Sequence, residues 1–360
     1  MRARRLQAAL FIGALIAGIS ACGGGDDANG PERLTVYVSA PLSGPSREHG
    51  RDIADAARLA LADAGGEAGG AEVEVEVLDA GAPGAGWSPA RAAANARTAT
   101  RDSTAVAYVG ELQSGATRAS LPITNKAFML QVSPASGADD LVAEFPGSDE
   151  ISALQTNGER TFARVIPSDA RQAAAAAAWA AELGEQRLAS ASDGTEFGDA
   201  MAAAFEEAAG GSPGGGGFTF YGGYADGLPE RADMASDALL DGGASVSRPL
   251  LVTSAALDPS HLPPAGREFA ERFAGEYGRE PGRYAAYGYE ATALVLDAID
   301  RADDPADRQA VVRALFETAA RDSVLGRYSI TAEGETSLNA MSGYELRGTR
   351  VQPVAELAAE

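Results

Sequence analysis

The 360-residue chain has one cysteine, Cys22, so it can form no internal disulfide. Lysine is almost missing: Lys126 is the exception among 29 basic residues. The formal charge of −22 weighs against nucleic acid, which needs clustered Lys and Arg to neutralise phosphates. It also weighs against adsorption onto anionic lipid. Only two histidines occur, His49 and His261, the second in a proline-flanked loop. No His-Glu-x-x-His and no cysteine–histidine spacing suggests a metal. No Gly-x-Ser-x-Gly elbow appears, and no Gly-x-Gly-x-x-Gly follows a strand. The glycine run from Gly210 to Gly217 lacks the Lys-Ser/Thr ending of a phosphate loop, and reads as a linker. With 51 acids, carboxylate pairs arise by chance and carry no weight. These absences favour binding over catalysis, without a cofactor.

What is present begins with an exported terminus. Arg2, Arg4 and Arg5 precede an apolar run from Ala8 to Ile19 that is too short to span a bilayer comfortably. That is the pattern of a secretory signal peptide. Ile19-Ser20-Ala21-Cys22 is similar to a bacterial lipobox, which makes Cys22 the expected lipidation site; an ordinary signal or an uncleaved anchor is the rival reading. Cleavage after residue 21 takes the charge from −22 to about −25. Residues 22–32 then form a polar tether.

Beyond it the pattern alternates. Leu34–Ser39 is a buried-type strand, and His49–Ala64 an amphipathic helix. Val73, Val75 and Val77 alternate with Glu72, Glu74 and Glu76, as in a charge-guarded edge strand. Ser88-Pro89 opens a helix with a cap and an N1 proline. Thr104–Val109 is a strand, Ser114 a helix N-cap, and Phe128–Val132 the next strand, closed by Ser133-Pro134-Ala135-Ser136-Gly137. This rhythm predicts a parallel sheet with right-handed crossovers. Both strand ends offer amides and small hydroxyls in the crevice where open α/β sheets bind ligands, and helix N-termini there favour an anion.

A second set starts at Phe162–Ile166. A capped helix runs from Ser168 through the alanines to Leu183, followed by a weak strand at Arg187–Ser192 and a helix at Phe197–Ala209. Phe218–Tyr221 and Pro249–Thr253 are strands. Gly266–Tyr277, Tyr284–Arg301 and Pro305–Ala320 are helices, and Tyr328–Ile330 with Tyr344–Leu346 suggest a terminal hairpin. The expected class is α/β with two Rossmann-like lobes joined by a multi-strand hinge. Residues 33–161 plus 285–324 form one lobe, and 162–284 plus 325–350 the other.

Several stretches carry a resemblance: Pro41-Leu42-Ser43-Gly44-Pro45, Ala93-Ala94-Asn95-Ala96-Arg97, the segment from Tyr108 to Leu141, and Tyr287-Gly288-Tyr289-Glu290-Ala291. In that order they resemble the Leu/Ile/Val-binding solute-binding lipoproteins of ABC transporters, which have the type 1 periplasmic-binding fold. The resemblance implies capture of a small amino acid, branched-chain or related, for delivery to an ABC permease from the outer face of the cell membrane.

By that resemblance Ser114 bonds the ligand carboxylate, Ala135 contributes backbone, and Ser136 its hydroxyl and amide. Gly137 falls where the family often has threonine. His49 matches a covering aromatic, Phe197 a second-lobe tyrosine, and Tyr224 a closing tyrosine. Asp237 matches an acid for the ammonium group, and Tyr284 an aromatic near the side-chain pocket. The plainer alternatives are a cap for Ser114, a solvated helix start for His49, core packing for Phe197 and hinge packing for Tyr284. The chain departs from the family after Ala209, where a strand and most of a helix are skipped. This shortened second lobe implies a new sheet edge. It also keeps open an alternative role, a ligand-free or regulatory lipoprotein acting through protein contacts.

Overall fold

A computed structural model describes residues 33–143, 150–211, 217–241 and 243–359. The signal segment, Cys22, the tether and the centre of the glycine run lie outside the described residues.

Two six-stranded sheets organise the chain. The first half runs β1 (Arg33–Ala40), α1 (Arg47–Asp63), β2 (Glu67–Ala68), β3 (Ala71–Asp79), α2 (Pro89–Arg101), β4 (Ala105–Val109), α3 (Ser114–Lys126), β5 (Leu130–Ser133), α4 (Glu150–Leu154) and β6 (Phe162–Arg164). It continues with α5 (Asp169–Glu182), β7 (Leu188–Ala191), α6 (Glu196–Ala208), β8 (Phe218–Tyr221), β9 (Met234–Ser236), α7 (Ala238–Asp241) and β10 (Val246–Ser254). The last part comprises α8 (Pro264–Tyr277), α9 (Ala285–Arg301), α10 (Arg308–Phe316), β11 (Arg321–Ser323), β12 (Gly326–Tyr328), β13 (Ala340–Gly348) and β14 (Arg350–Ala358).

The first sheet has the order β2-β3-β1-β4-β5-β6, parallel except for the two-residue β2. Beyond its Ala71–Glu72 end, where β2 pairs, the outer side of β3 is open, as the Val/Glu alternation predicts. Ile53 of α1 and Leu294 and Val295 of α9 pack on one face with Val36, Val38 and Val109. Tyr37 and Tyr108 meet Ala96 and Ala99 of α2 on the other.

The second sheet has the order β14-β13-β10-β9-β8-β7. On one face Trp179 of α5 and Phe205 of α6 pack with Phe220, Met234 and Met341. The opposite face, with Tyr221, Val252 and Leu346, is met by Leu239 of α7 and the short turn at Ala225. The skipped segment thus leaves one helical layer thin and β7 at the edge. The sheet still reaches six strands because β13 and β14 extend it from the other side.

The chain passes between the sheets at 165–168, 255–263 and 329–339.

Several sequence expectations need correction. Tyr344 pairs with Pro353, so the terminal hairpin is β13–β14; residues 326–328 instead pair with 321–323. That carries the second lobe to residue 358. β6 hydrogen-bonds to β5, and Phe269 and Phe273 of α8 join the core of the first sheet. Residues 162–164 and 264–277 therefore belong to the first lobe, not the second. Phe128 has φ 52° and turns the chain, delaying β5 to Leu130. Asp307 caps α10 by accepting from the Gln309 amide, which starts the helix after Pro305.

Candidate functional site

The first turn is fixed from below. Glu111, fully buried, accepts from Ser39 Oγ (2.8 Å) and Tyr108 Oη (2.6 Å), and Asn95 Nδ2 donates to Ser39 Oγ (3.0 Å). The Glu111 backbone carbonyl in turn accepts from Ser133 Oγ (2.8 Å) and Ser136 Oγ (3.1 Å). One residue thus joins the two strand-end turns. Burial pushes the Glu111 carboxyl up to about 7, against the lowering effect of its hydroxyl donors. Its folded value lies above its unfolded one, so its stabilisation is complete below the unfolded pKa and is lost as pH rises toward 7. Glu111→Gln is expected to make the fall in stability between pH 4.5 and 8 shallower, on the order of 3 kcal/mol, checked by urea unfolding at both pH values.

The second turn is held by Ser133, whose Oγ accepts from the amides of Ala135 (3.2 Å) and Ser136 (2.8 Å). Ser136 Oγ also meets Thr117 Oγ1 at 2.7 Å. Ser136, expected to offer the ligand its hydroxyl and amide, engages both inside the protein in this structure and is fully buried. Ser114 is not the cap of α3 either; Gln113 holds that position. Ser114 Oγ accepts from the Ala138 amide (3.1 Å), which ties the two turns together and leaves its own hydrogen to donate. Beside it the amides of Ser114 and Gly115 open α3 without an intrahelical partner, while that of Ala116 already bonds the Gln113 carbonyl (3.0 Å).

Arg164 holds the same turn from the hinge. Fully buried, it donates to the carbonyls of Ser136 (3.2 Å) and Ala138 (2.8 Å), and its Nε sits 3.0 Å from Glu335 Oε1.

The second lobe supplies the opposite wall. Asp169, the first residue of α5, donates its amide to the Gly137 carbonyl (2.8 Å), and its Oδ1 fills the space where a Cβ at position 137 would go. The glycine is thus required by its neighbour. Asp237 is buried and accepts from Ser254 Oγ (2.6 Å), Gln172 Nε2 (3.2 Å) and Tyr284 Oη (3.3 Å). His49 packs edge-on to Tyr284 at 5.1 Å, with its Nε2 3.3 Å from Asp241 Oδ1. Asp241 is also paired with Arg283. His49, Tyr284 and Asp237 therefore do come together, across the two lobes. Phe197 and Tyr224 meet each other at 5.8 Å. Tyr224 is 41 % exposed and not closed over the turns. Its hydroxyl is pushed up to about 12 by burial and then by Asp241, Asp193, Asp169 and Asp237, which places it among the acids of this wall. Arg118, chelating Asp140 at 2.7 Å, reaches Glu196 of the second lobe at 3.2 Å.

Sequence reasoning missed Asp169, Arg164, Glu111 and Trp87. Trp87 lies over Gly115, with its ring in the space where a Cβ would sit. The signal for Asp169 was the glycine at 137. A cavity of about 660 Å³ borders His49 and Arg283 and runs along Leu240, Asp258 and Tyr344, without Ser114, Ser136 or Asp169 in its lining. Among the described residues no cluster of acids, histidines or cysteines suits a metal ion. No described helix is long and apolar enough to cross a membrane.

The model of the periplasmic binding protein family matches residues 34–219 and 233–350. The chain belongs to this family. The break from 220 to 232 contains Tyr224, in the segment where the second lobe is shortened. Solved structures with the same fold include a leucine-binding protein, LivK, from Thermotoga maritima, at 22% identity and TM-score 0.71, covering 90% of this chain and 99% of that one. A substrate-binding protein of an ABC transporter from Desulfitobacterium hafniense, in complex with Leu, aligns at 20% identity and TM-score 0.72, over 90% and 100%. A benzoate complex of a solute-binding protein from R. palustris aligns at 15% and 0.71, over 91% and 98%. At these identities the likeness concerns the fold of the binding protein. No match is found among curated protein sequences.

Proposed function

We propose that this binding protein captures a small amino acid, branched-chain or related, outside the cytoplasm and presents it to an ABC permease. A lipid on Cys22 would keep it at the membrane. The observation that carries the reading is the asymmetry of the cleft. The first lobe offers Ser114 Oγ and the amides opening α3, which suit a carboxylate; the second offers the acids Asp169 and Asp237, which suit an ammonium group. Ala135 and Gly137 line the first wall as backbone. His49, Tyr284, Phe197 and Tyr224 provide rings for the side chain. The relatives bound to leucine and to benzoate define the two ligand classes to separate.

Calorimetry of the full chain against the proteinogenic amino acids and a set of aromatic acids tests the reading. Ser114→Ala is expected to weaken amino-acid binding about tenfold, the value of one hydrogen bond to a charged group. A folded protein that binds none of these ligands, or a Ser114→Ala variant with unchanged affinity, would overturn it. One observation favours a second reading, a ligand-free regulatory protein: the donors of Ser136 and the carboxylate of Asp237 are already satisfied internally. The same titration separates the two.

A further inference from the structure

Trp87 stands in the strand-end crevice without a part in either core. It is half-buried, yet it joins none of the hydrophobic clusters among the described residues. Its indole N–H has no hydrogen-bond partner among those residues and stays open to solvent. The loop that carries it leaves the carboxyl end of β3, where open α/β sheets take their ligands. That loop is fixed from within. The Gly81 amide donates to Asp79 Oδ1 (2.8 Å), the Ala85 amide to the Ala82 carbonyl (3.2 Å), and the Ser88 amide to the Ala80 carbonyl (2.9 Å). A side chain at Gly86 would strike Ser46 Oγ, which accepts from Gln113 Nε2 at 3.2 Å. Gln113 is thereby turned away from the opening of α3, and its side chain caps no amide there. The Trp87 ring fills the space that a side chain at 115 would take. The edge it presents is Cζ2 and Cη2, followed by Cε2, the atom bonded to the ring nitrogen. Glycine inside a helix costs stability relative to alanine, and the ring it admits explains its place at 115. The nitrogen-bearing side of the indole thus lies against the residue next to Ser114, whose hydroxyl hydrogen is free to donate.

We infer that Trp87 contacts the bound ligand: its indole N–H donates to the carboxylate that Ser114 receives, and its ring screens that carboxylate from water. This role rests on the carboxylate half of the proposed function, and it holds for an amino acid and an aromatic acid alike. Tryptophan suits the task because it joins a broad apolar face to a single donor. Covering the carboxylate with the ring lowers the local dielectric, which strengthens every hydrogen bond the carboxylate accepts. Gly115 is the residue that lets the indole come this close.

The chain has two tryptophans, so emission can be assigned to one of them. Trp179 is buried in the core of the second sheet, against Gly343. The full chain is titrated with L-leucine, benzoate and any other acid of the calorimetric panel that binds, and is followed by calorimetry and by tryptophan emission. In Trp179→Phe the ligand should shift the emission of Trp87, and affinity should match wild type. In Trp87→Phe, which keeps a ring but removes the N–H, the emission response should vanish. Its affinity should fall about tenfold, the value of one hydrogen bond to a charged group. Trp87→Ala should lose at least as much. Thermal melts establish that the variants fold; should Trp179→Phe fail to, the wild-type response less that of Trp87→Phe gives the same quantity. If Trp87→Phe binds as tightly as wild type, or if ligand binds with the Trp87 emission unchanged, Trp87 does not touch the ligand, while the proposed function stands. If no acid of the panel binds the folded wild type, the carboxylate reading falls and the role of Trp87 with it.

Discussion

Arg164→Ala is expected to lower the unfolding free energy by about 3–5 kcal/mol, the range for breaking a buried ion pair by removing one partner. Arg164 is entirely enclosed, and its guanidinium faces Glu335 from one side and the carbonyls of Ser136 and Ala138 from the other. Truncation leaves Glu335 without its cation and two carbonyls without a donor, and opens a void the size of the lost side chain. Urea unfolding with a matched Glu335→Leu and Arg164→Met double variant makes the measurement specific. Replacing both charges by apolar groups should recover much of the loss, because the desolvation of the pair then disappears as well. Equal destabilisation in the single and double variants would mean that packing, not charge, carries the effect. Ligand affinity should fall with stability in the single variant, since Ser136 and Ala138 belong to the second turn of the cleft.

Gly50→Ala is the second large effect, an expected net loss of about 2 kcal/mol where a helix interior would ordinarily gain from the change. Gly50 lies in the first turns of α1, and a Cβ there would land on the backbone carbonyl of Pro41. That backbone cannot retreat. The Leu42 amide and Ser43 Oγ are each held 2.8 Å from the Asp79 carboxylate, which Arg91 also binds at 2.9 Å. The helix must therefore tilt, and His49, one residue earlier, moves with it away from Tyr284 and Asp241. Thermal melts report the stability. The ring chemical shifts of His49 by NMR report the displacement from Tyr284; unchanged shifts alongside a normal melt would show that α1 absorbs the methyl locally.

These two residues explain why the fold was readable in the sequence and the site less so. The stretches that signalled the family serve mainly as structure. Asp79 anchors the loop through Leu42 and Ser43, and Gly44 takes φ 80° against the Ala82 carbonyl. Asn95 supports Ser39 and so Glu111. Tyr287 accepts from the Leu257 amide in a crossing segment, Gly288 admits Ile53, and Glu290 binds Arg321 and Tyr328. Such constraints are local or depend on residue type, so they leave a written trace.

The site depends instead on what faces what across two lobes. Ser136 has the right residue type in the right turn, but its hydroxyl points inward to Glu111 and Thr117. Asp169 follows a helix cap and reads as an ordinary first-turn acid; only the pairing with Gly137 across the cleft gives it a purpose. The terminal hairpin failed for a similar reason, since Tyr344 alternates as well with one partner strand as with another and register is a tertiary choice.

The three crossings carry a consequence for when the protein can become native. Neither lobe is a continuous stretch. The first sheet closes over α9, whose packing on α1 joins segments more than two hundred positions apart in the chain, and the second sheet gains β13 and β14 only at its end. Contacts of such long sequence separation are slow to form, because loop closure must precede the burial that rewards it. A growing chain therefore has all six strands of the first sheet by residue 164 but lacks α9 over that sheet until residue 301, and the second sheet stays short of β13 and β14 until after residue 339.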